Sequence, residues 1–167
     1  MTKEAKAFNE QLKLDVLLNG MTEITARYRF EFRFEFNFDN IDEVIIPEGI
    51  TSIGDGTFRY CENLKRVTIP DSVTNLGERA FMHCRQLKNV KIGNGVTRIE
   101  RYTFDWCVSL TKVDIGDNVT YIGYDVFRCC YNLKSLTLRS DTKCGTTPFT
   151  GGIPFPPTTE IKLKYIA

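Results

Sequence analysis

A pattern of 23 residues recurs four times without a gap in the middle of this 167-residue chain. Each copy begins with isoleucine, at Ile46, Ile69, Ile92 and Ile115. Three further columns are the same in every copy: Phe58, Phe81, Phe104 and Phe127; Cys61, Cys84, Cys107 and Cys130; Leu64, Leu87, Leu110 and Leu133. A fixed period between about 20 and 50 residues is typical of a stacked repeat array. We therefore predict a repeat solenoid, an architecture that usually binds other molecules on a long exposed face.

Each copy contains one segment with the alternation of a β-strand. In the segment that joins the first two copies, Leu64, Val67 and Ile69 are apolar, whereas the residues between them are polar. We expect one such strand per copy, and we expect the strands of neighbouring copies to pair in parallel along the stack. The compact Phe-x-x-Cys stretch suits a single helical or 3₁₀ turn. The predicted fold is therefore mainly β, with one parallel sheet.

The turn after each predicted strand ends at Gly49, Ser72, Gly95 or Asn118. Glycine and asparagine tolerate a left-handed backbone better than other residues do. We therefore expect a left-handed backbone at three of these four positions.

Six cysteines raise the question of disulfides or zinc. Four of them are repeat positions in register with the phenylalanine and leucine columns, and no C-x-x-C pair of the kind found in zinc sites is present. We expect these four thiols to be reduced and buried, since free cysteine packs as a small apolar residue. Cys129 and Cys144 lie outside the column and are expected to be exposed. The sequence indicates no metal and no cofactor.

The first 40 residues do not follow the repeat. Apolar residues alternate through 12–18, Asn19-Gly20 is a strong hairpin turn signal, and a longer alternation with many phenylalanines runs through 24–38. A solenoid has an open apolar end that needs a cap. We therefore interpret residues 1–40 as an N-terminal β-hairpin cap, with a dimer contact as the alternative use of the phenylalanine-rich face.

A helix is the competing interpretation for the start of the chain. Phe8, Leu12 and Val16 have helical spacing, which would place them on one face of a helix through residues 3–18.

The repeat resembles the BspA-like, or treponemal-type, leucine-rich repeats. That family also has 23 residues per repeat, and the second copy matches its pattern: Ile69-Pro70-Asp71-Ser72-Val73-Thr74-Asn75-Leu76-Gly77, then Ala80-Phe81, Cys84, Leu87 and Val90. The resemblance covers residues 41–139 closely and residues 140–167, which look like a C-terminal cap, loosely. It implies a curved solenoid with a parallel sheet on its concave face. It also implies protein–protein interaction, often adhesion of bacterial or protozoan cell surfaces to host proteins.

Composition excludes some classes of partner. The formal net charge is only +1, so the chain as a whole is not attracted to nucleic acid or to a membrane surface. No apolar stretch approaches the roughly 20 residues of a membrane-spanning helix, and the N-terminus does not lead into a signal-peptide core. We expect a cytoplasmic protein, or a secreted or cell-surface protein if an export signal has been removed.

The sequence offers little for catalysis. His83 is the one histidine, and it occupies the repeat position of Tyr60, Trp106 and Cys129. Ser109-Leu110-Thr111-Lys112 spells S-x-x-K, but Ser109 is the repeat equivalent of asparagine and glutamine in other copies. We interpret both as variable side chains of the array and predict that the protein is not an enzyme.

The polar positions of the predicted strands carry an excess of positive charge. On the expected concave face the candidate binding residues are Lys65, Arg66, Lys88, Lys91, Lys112, Asp114 and Lys134. Six are basic and one is acidic, a local charge of +5. Charge of one sign steers partners of the opposite sign. We predict binding to an acidic protein surface, with nucleic acid disfavoured by the neutral overall charge and by the scarcity of aromatic residues on this face.

A second candidate surface is aromatic. Its residues occupy variable positions of the third and fourth copies: Tyr102, Trp106, Tyr121, Tyr124 and Tyr131. Tyrosine and tryptophan are enriched at binding hot spots. Two settings remain open, a stand-alone intracellular binder or inhibitor and an extracellular adhesin-type module. The protein is expected to be a monomer or a weak dimer that associates through the N-terminal cap.

Overall fold

Short parallel strands on two sides of a stack follow an N-terminal helix. The computed structural model describes residues 1–31, 37–145 and 160–164. The elements are α1 (Lys3–Asn19), β1 (Glu23–Ile24), α2 (Ala26–Glu31), a 3₁₀ turn (Phe38–Asn40), β2 (Glu43–Ile45), β3 (Ser52–Ile53), β4 (Arg66–Ile69), β5 (Asn75–Leu76), β6 (Asn89–Ile92), β7 (Arg98–Ile99), β8 (Lys112–Asp114), β9 (Tyr121–Ile122), β10 (Ser135–Arg139), β11 (Lys143–Cys144) and β12 (Glu160–Lys164). Within these ranges, no helix has the length and apolar character needed to cross a bilayer.

The larger sheet contains one strand from each of the four copies, together with β2 before the first copy and β12 after the last. Its order is β2-β4-β6-β8-β10-β12, and every neighbouring pair is parallel. The register follows the repeat, since Arg66 lies opposite Asn89 and Asn89 lies opposite Lys112. The predicted solenoid with a parallel sheet is therefore confirmed. Shorter strands on a second side of the stack form two further parallel sheets, β1-β3-β5 and β7-β9-β11.

The phenylalanine column forms the centre of the core. Phe58, Phe81, Phe104 and Phe127 stack with centroids 5.3, 5.6 and 5.8 Å apart and ring planes within 10° of one another. All four side chains are buried. The repeat sets this arrangement, because each copy places its phenylalanine ring over the ring of the preceding copy at nearly the same spacing. Each ring therefore contributes apolar burial to two copies at once.

The third side of the stack consists of turns with an unusual backbone. Among the described residues, seven other than glycine have positive φ, and they fall in two columns of the repeat: Arg79, Tyr102 and Asp125; Tyr60, His83, Trp106 and Cys129. The left-handed backbone costs about 1–2 kcal/mol for such a residue. It directs backbone N–H groups toward the next copy, where Tyr60 donates to Met82 O at 2.9 Å and His83 donates to Asp105 O at 2.8 Å. Each copy therefore has hydrogen-bonded turns in the stretch where the sequence predicted a single helical or 3₁₀ turn.

The prediction of left-handed turn ends is wrong for most copies. Of the three positions predicted to be left-handed, Gly49, Gly95 and Asn118, only Gly49 has positive φ, at 97°. Gly95 is required for a different reason, which is close approach of the backbone. A Cβ atom at Gly95 would lie 2.1 Å from the carbonyl oxygen of Asp71 in the previous copy.

The predicted N-terminal hairpin is also wrong. Residues Lys3–Asn19 form a helix, as in the competing interpretation, and Thr2 caps it by accepting a hydrogen bond from the Ala5 N–H at 3.1 Å. Phe8 and Leu12 are buried, while the leucines at 14, 17 and 18 are exposed. Helical spacing therefore outweighed the local alternation. A strand would turn Leu14 and Leu18 to the same face as Leu12, whereas the helix leaves both exposed.

The phenylalanine-rich segment differs from its predicted strand as well. Ala26–Glu31 is helical, and Phe38 is buried at the start of the 3₁₀ turn. Residues 32–36, which carry the middle of the predicted alternation, lie outside the described residues.

The helix α1 covers the first edge of the larger sheet. Phe8 packs edge-on against Phe38 and Phe58, with centroids 5.3 and 6.5 Å apart. The buried amide of Asn9 accepts a hydrogen bond from the Ile45 N–H at 2.9 Å and donates one to Glu43 O at 3.2 Å. These bonds replace those of a neighbouring strand, so the edge strand β2 is both covered and paired.

The cysteine column is reduced and buried, as predicted. Cys61, Cys84, Cys107 and Cys130 are thiols buried inside the core, and Cys107 donates a hydrogen bond to Phe81 O at 3.3 Å. Burial raises the pKa of the Cys107 and Cys130 thiols, which further reduces their reactivity. Cys129 is partly exposed and Cys144 is exposed.

A thiol reagent at about pH 8 is expected to label only Cys129 and Cys144 rapidly in the native protein, because the thiolate is the reactive form and the other four thiols are buried. Mass spectrometry after a short pulse measures the sites, and labelling in denaturant provides the total of six. Rapid native labelling of Cys84 or Cys107 would contradict the buried column.

Candidate functional site

The exposed side of the larger sheet forms a regular surface, which we call the basic face. Alternation along each strand turns every second side chain outward, and the residue before the strand also faces solvent. The rows, read across neighbouring copies, are Lys65, Lys88, Thr111 and Lys134; Glu43, Arg66, Asn89 and Lys112; Ile45, Thr68, Lys91, Asp114 and Thr137. All seven residues predicted for this surface therefore lie on it.

Two of the predicted cations are paired with carboxylates. Arg66 contacts Glu43 through two hydrogen bonds, Nε to Oε1 at 3.3 Å and Nη2 to Oε2 at 3.1 Å, and this bonding raises the pKa of Arg66. Lys112 Nζ lies 2.9 Å from Asp114 Oδ2. Glu43 precedes the first strict copy, so the repeat pattern did not reveal it as part of this surface. The basic face thus carries six cationic and two acidic side chains, a formal +4 rather than +5.

The other four cations are available to a partner. Lys65, Lys88, Lys91 and Lys134 are exposed. None of them forms an ion pair with another residue in the part of the chain that the structure describes. Their ammonium groups face solvent without a neighbouring carboxylate in ion-pair contact, so they account for most of the attraction that this surface exerts on anions.

The predicted aromatic surface is divided among several places. Tyr102 and Tyr124 contact each other edge-on with centroids 5.7 Å apart, on the turn side. Tyr121 lies on β9 in the second row of strands, under the guanidinium of Arg98 at 4.0 Å. Tyr131 is exposed in the fourth copy. Tyr121 therefore lies on a different side of the stack from Tyr102 and Tyr124.

Trp106, one of the predicted aromatic residues, belongs to a column of stacked rings with Tyr60 and His83. Tyr60 and His83 stack with centroids 4.8 Å apart, and His83 and Trp106 stack at 5.7 Å. Burial lowers the pKa of His83, which favours its neutral form. The shared repeat position of the three residues was the signal that could have revealed this column.

A buried ion pair links the third and fourth copies. Arg128 bonds both carboxylate oxygens of Asp105, at 2.8 and 2.7 Å, and its Nη1 lies 3.6 Å from Asp125 Oδ2. Hydrogen bonding to Asp105 raises the pKa of Arg128. Both carboxylates are buried beside this guanidinium, so the pairing has a structural role. Among the described residues, no group of His, Cys, Asp and Glu is arranged to hold a metal ion.

Comparison with known proteins agrees with this geometry. The crystal structure of a T. pallidum leucine rich repeat protein matches with a TM-score of 0.59 and 30% identity, over 62% of this chain and 51% of that protein. A leucine-rich repeat protein from Bacteroides ovatus matches with a TM-score of 0.54 and 25% identity, over 73% and 33%. A leucine rich cell surface protein from Faecalibacterium prausnitzii matches with a TM-score of 0.52 and 28% identity, over 77% and 40%.

The chain spans about half the length of the T. pallidum protein and less of the other two. No curated protein matches the sequence. The family described as the BspA type leucine rich repeat region matches residues 32–152 with 6 copies, two more than the strict pattern identifies. Since this match extends over most of the chain, the protein belongs to the BspA-type leucine-rich repeat family.

Proposed function

We propose that the protein binds an acidic surface of a partner protein through the basic face. Leucine-rich repeat families generally mediate protein–protein interaction and are typically non-enzymatic. The observation that carries the finer proposal is the group of four unpaired lysines, Lys65, Lys88, Lys91 and Lys134, on one side of one sheet. Neighbouring strands lie about 4.8 Å apart, so these cations act together on a partner about 15 Å wide.

A protein partner fits the basic face better than nucleic acid does. Glu43 and Asp114 lie among the cations and would repel a continuous row of phosphates. The described outward positions carry no aromatic side chain on which bases could stack. A mixed surface with a positive excess instead matches a protein surface that has acidic residues at some positions and amides or hydroxyls at others.

The same face suits two biological settings. An intracellular inhibitor would cover an acidic site on its target. An extracellular adhesin-type module would hold an acidic patch of a host or matrix protein. The likeness to a cell surface protein from F. prausnitzii favours the second setting as the alternative candidate.

Charge reversal at Lys88, Lys91 and Lys134 to glutamate tests the proposal. The probes are a fluorescent glutamate-rich peptide, a lysine-rich peptide of equal length and an oligothymidylate, with affinity measured by anisotropy at low and moderate salt. We expect the parent to prefer the acidic peptide. The triple variant is expected to lose about 100-fold in affinity, since each reversed rim charge costs roughly 1 kcal/mol. Added salt should weaken binding by the parent.

The matched control reverses Lys3, Lys6 and Lys13 on α1, which changes the net charge equally but lies off the basic face. This variant should bind the acidic peptide within about threefold of the parent, since distant exposed charges are screened. Preference of the parent for oligothymidylate would indicate a nucleic-acid partner instead. Unchanged affinity of the triple variant for the acidic peptide would show that the basic face is not the binding surface.

A further inference from the structure

A pocket of about 390 Å³ lies at one edge of the basic face, where β2, β4 and β6 end. Ile45, Pro47 and Pro70 supply apolar walls, and Thr68 and Lys91 line it from the exposed side of the sheet. Ile45 is 38% exposed, which makes it the most exposed large aliphatic side chain among the described repeats. A pocket with apolar walls and a mixed polar rim beside unpaired cations is a feature that the charge pattern alone did not predict.

The sequence of the turns explains why the pocket forms at this place. The residue after the strand is proline in the first two copies, at Pro47 and Pro70, and glycine in the next two, at Gly93 and Gly116. The rings of Pro47 and Pro70 form an apolar surface. This surface does not continue at Gly93, which has no side chain and also lines the pocket. Glycine is needed there, since a Cβ atom would lie 2.5 Å from the Pro70 carbonyl carbon. The step from proline to glycine therefore leaves a recess beside Lys91.

We propose that this pocket receives an apolar side chain of the acidic partner, so that the recognised segment combines an aliphatic or aromatic anchor with neighbouring carboxylates. The inference rests on the proposed function and adds the chemistry of the anchor to it. A volume of about 390 Å³ accommodates a leucine or phenylalanine side chain. Lys91 lies at the pocket, and Lys88 lies in the same copy, so carboxylates beside the anchor would meet unpaired cations.

The charges around the pocket also set the direction of the partner segment. Glu48 and Asp71 line the side away from the sheet, and one Asp71 oxygen accepts a hydrogen bond from the Asn94 N–H at 2.7 Å. Carboxylates of the partner would be repelled on that side and attracted on the side of Lys91. An apolar contact surrounded by polar groups is the usual arrangement of an interface hot spot.

Three fluorescent peptides of about nine residues serve as probes for this edge. The first has a leucine between glutamates, the second has serine at the central position, and the third has the leucine between glutamines. The parent should bind the leucine–glutamate peptide about tenfold more tightly than the serine–glutamate peptide, since a buried leucine side chain adds apolar contact. The variant Ile45→Asp should bring this ratio close to one.

Thr137→Asp is the matched control, since Thr137 lies in the same row of the basic face four strands away from Ile45. It adds the same charge outside the pocket, so it should weaken both glutamate peptides equally and preserve the tenfold ratio. Equal affinity of the parent for the leucine–glutamate and serine–glutamate peptides would overturn the pocket proposal, but it would not contradict binding through the basic face. No advantage of the glutamate peptides over the glutamine peptide would overturn both.

Discussion

Deletion of residues 1–20 is expected to leave a chain that unfolds or aggregates. This deletion removes α1, whose Phe8 and Leu12 are fully buried against the first copy. Loss of a buried phenylalanine alone costs about 3–5 kcal/mol, and the total stability of a domain is about 5–15 kcal/mol. The deletion also removes Asn9, which leaves the Ile45 N–H and the Glu43 carbonyl on an open strand edge. Exposed core and an unpaired edge together favour association between chains.

Size-exclusion chromatography and thermal unfolding followed by circular dichroism measure this effect. The matched control replaces Leu17 and Leu18 with serine, since these leucines are 77% and 76% exposed on the same helix. The control protein should remain monomeric, and its midpoint of thermal unfolding should be close to that of the parent. A truncated protein that stays monomeric with an unchanged midpoint would show that α1 is not a cap.

Gly95→Ala is expected to destabilise the fold by more than about 3 kcal/mol, a size of effect that points to overpacking. The new Cβ atom would lie 2.1 Å from Asp71 O and 2.5 Å from Val73 O, and both are backbone atoms that cannot rotate away. The two copies would have to separate locally, which breaks the register of the stack. Urea unfolding measures the change in the free energy of unfolding.

Gly20→Ala provides the control for this prediction. Gly20 ends α1 with φ of 64°, and no atom lies within 4 Å of the position of its Cβ. Alanine there has only the conformational cost of a left-handed backbone, about 1 kcal/mol. Equal effects of the two substitutions would contradict close approach as the reason for Gly95.

The repeat region could be predicted because its burial is strictly periodic. The phenylalanine, cysteine and leucine columns recur at one spacing, and each of their members has an equivalent one copy away with which it packs. A pattern repeated four times leaves little freedom in register, so the parallel strands followed directly. The left-handed turns were missed since their cause is a hydrogen bond to the next copy, and the side chains at these positions, such as Tyr60 and His83, have no common chemistry.

The secondary structure of the N-terminal region was predicted incorrectly, because this region has no repeat that could decide between a helix and a strand. Leu12 and Val16 fit both a strand and a helix, and Asn19-Gly20 suits either a hairpin turn or the end of a helix. Tertiary packing selected the helix, which brings Phe8 and Asn9 to the first copy together.

The sequence pattern located the basic face, but it did not reveal which of its charged side chains form ion pairs with each other. The outward positions of a strand can be read from alternation, which explains why Lys88 and Lys91 lie where expected. The partner of Arg66 could not be found in this way, because Glu43 precedes the strict repeat. The pocket at Ile45 depends on the shape of two proline rings beside a glycine, which is a property of three copies taken together.

The backbone hydrogen bonds of the turn side give the stack a direction. Tyr102, Phe104 and Trp106 each donate an N–H to a carbonyl of the following copy, at 3.1, 3.0 and 2.9 Å. Without the following copy these donors would be left to water, so each copy completes the backbone hydrogen bonding of the copy before it on the turn side. At the N-terminal end of the stack, α1 covers the first copy.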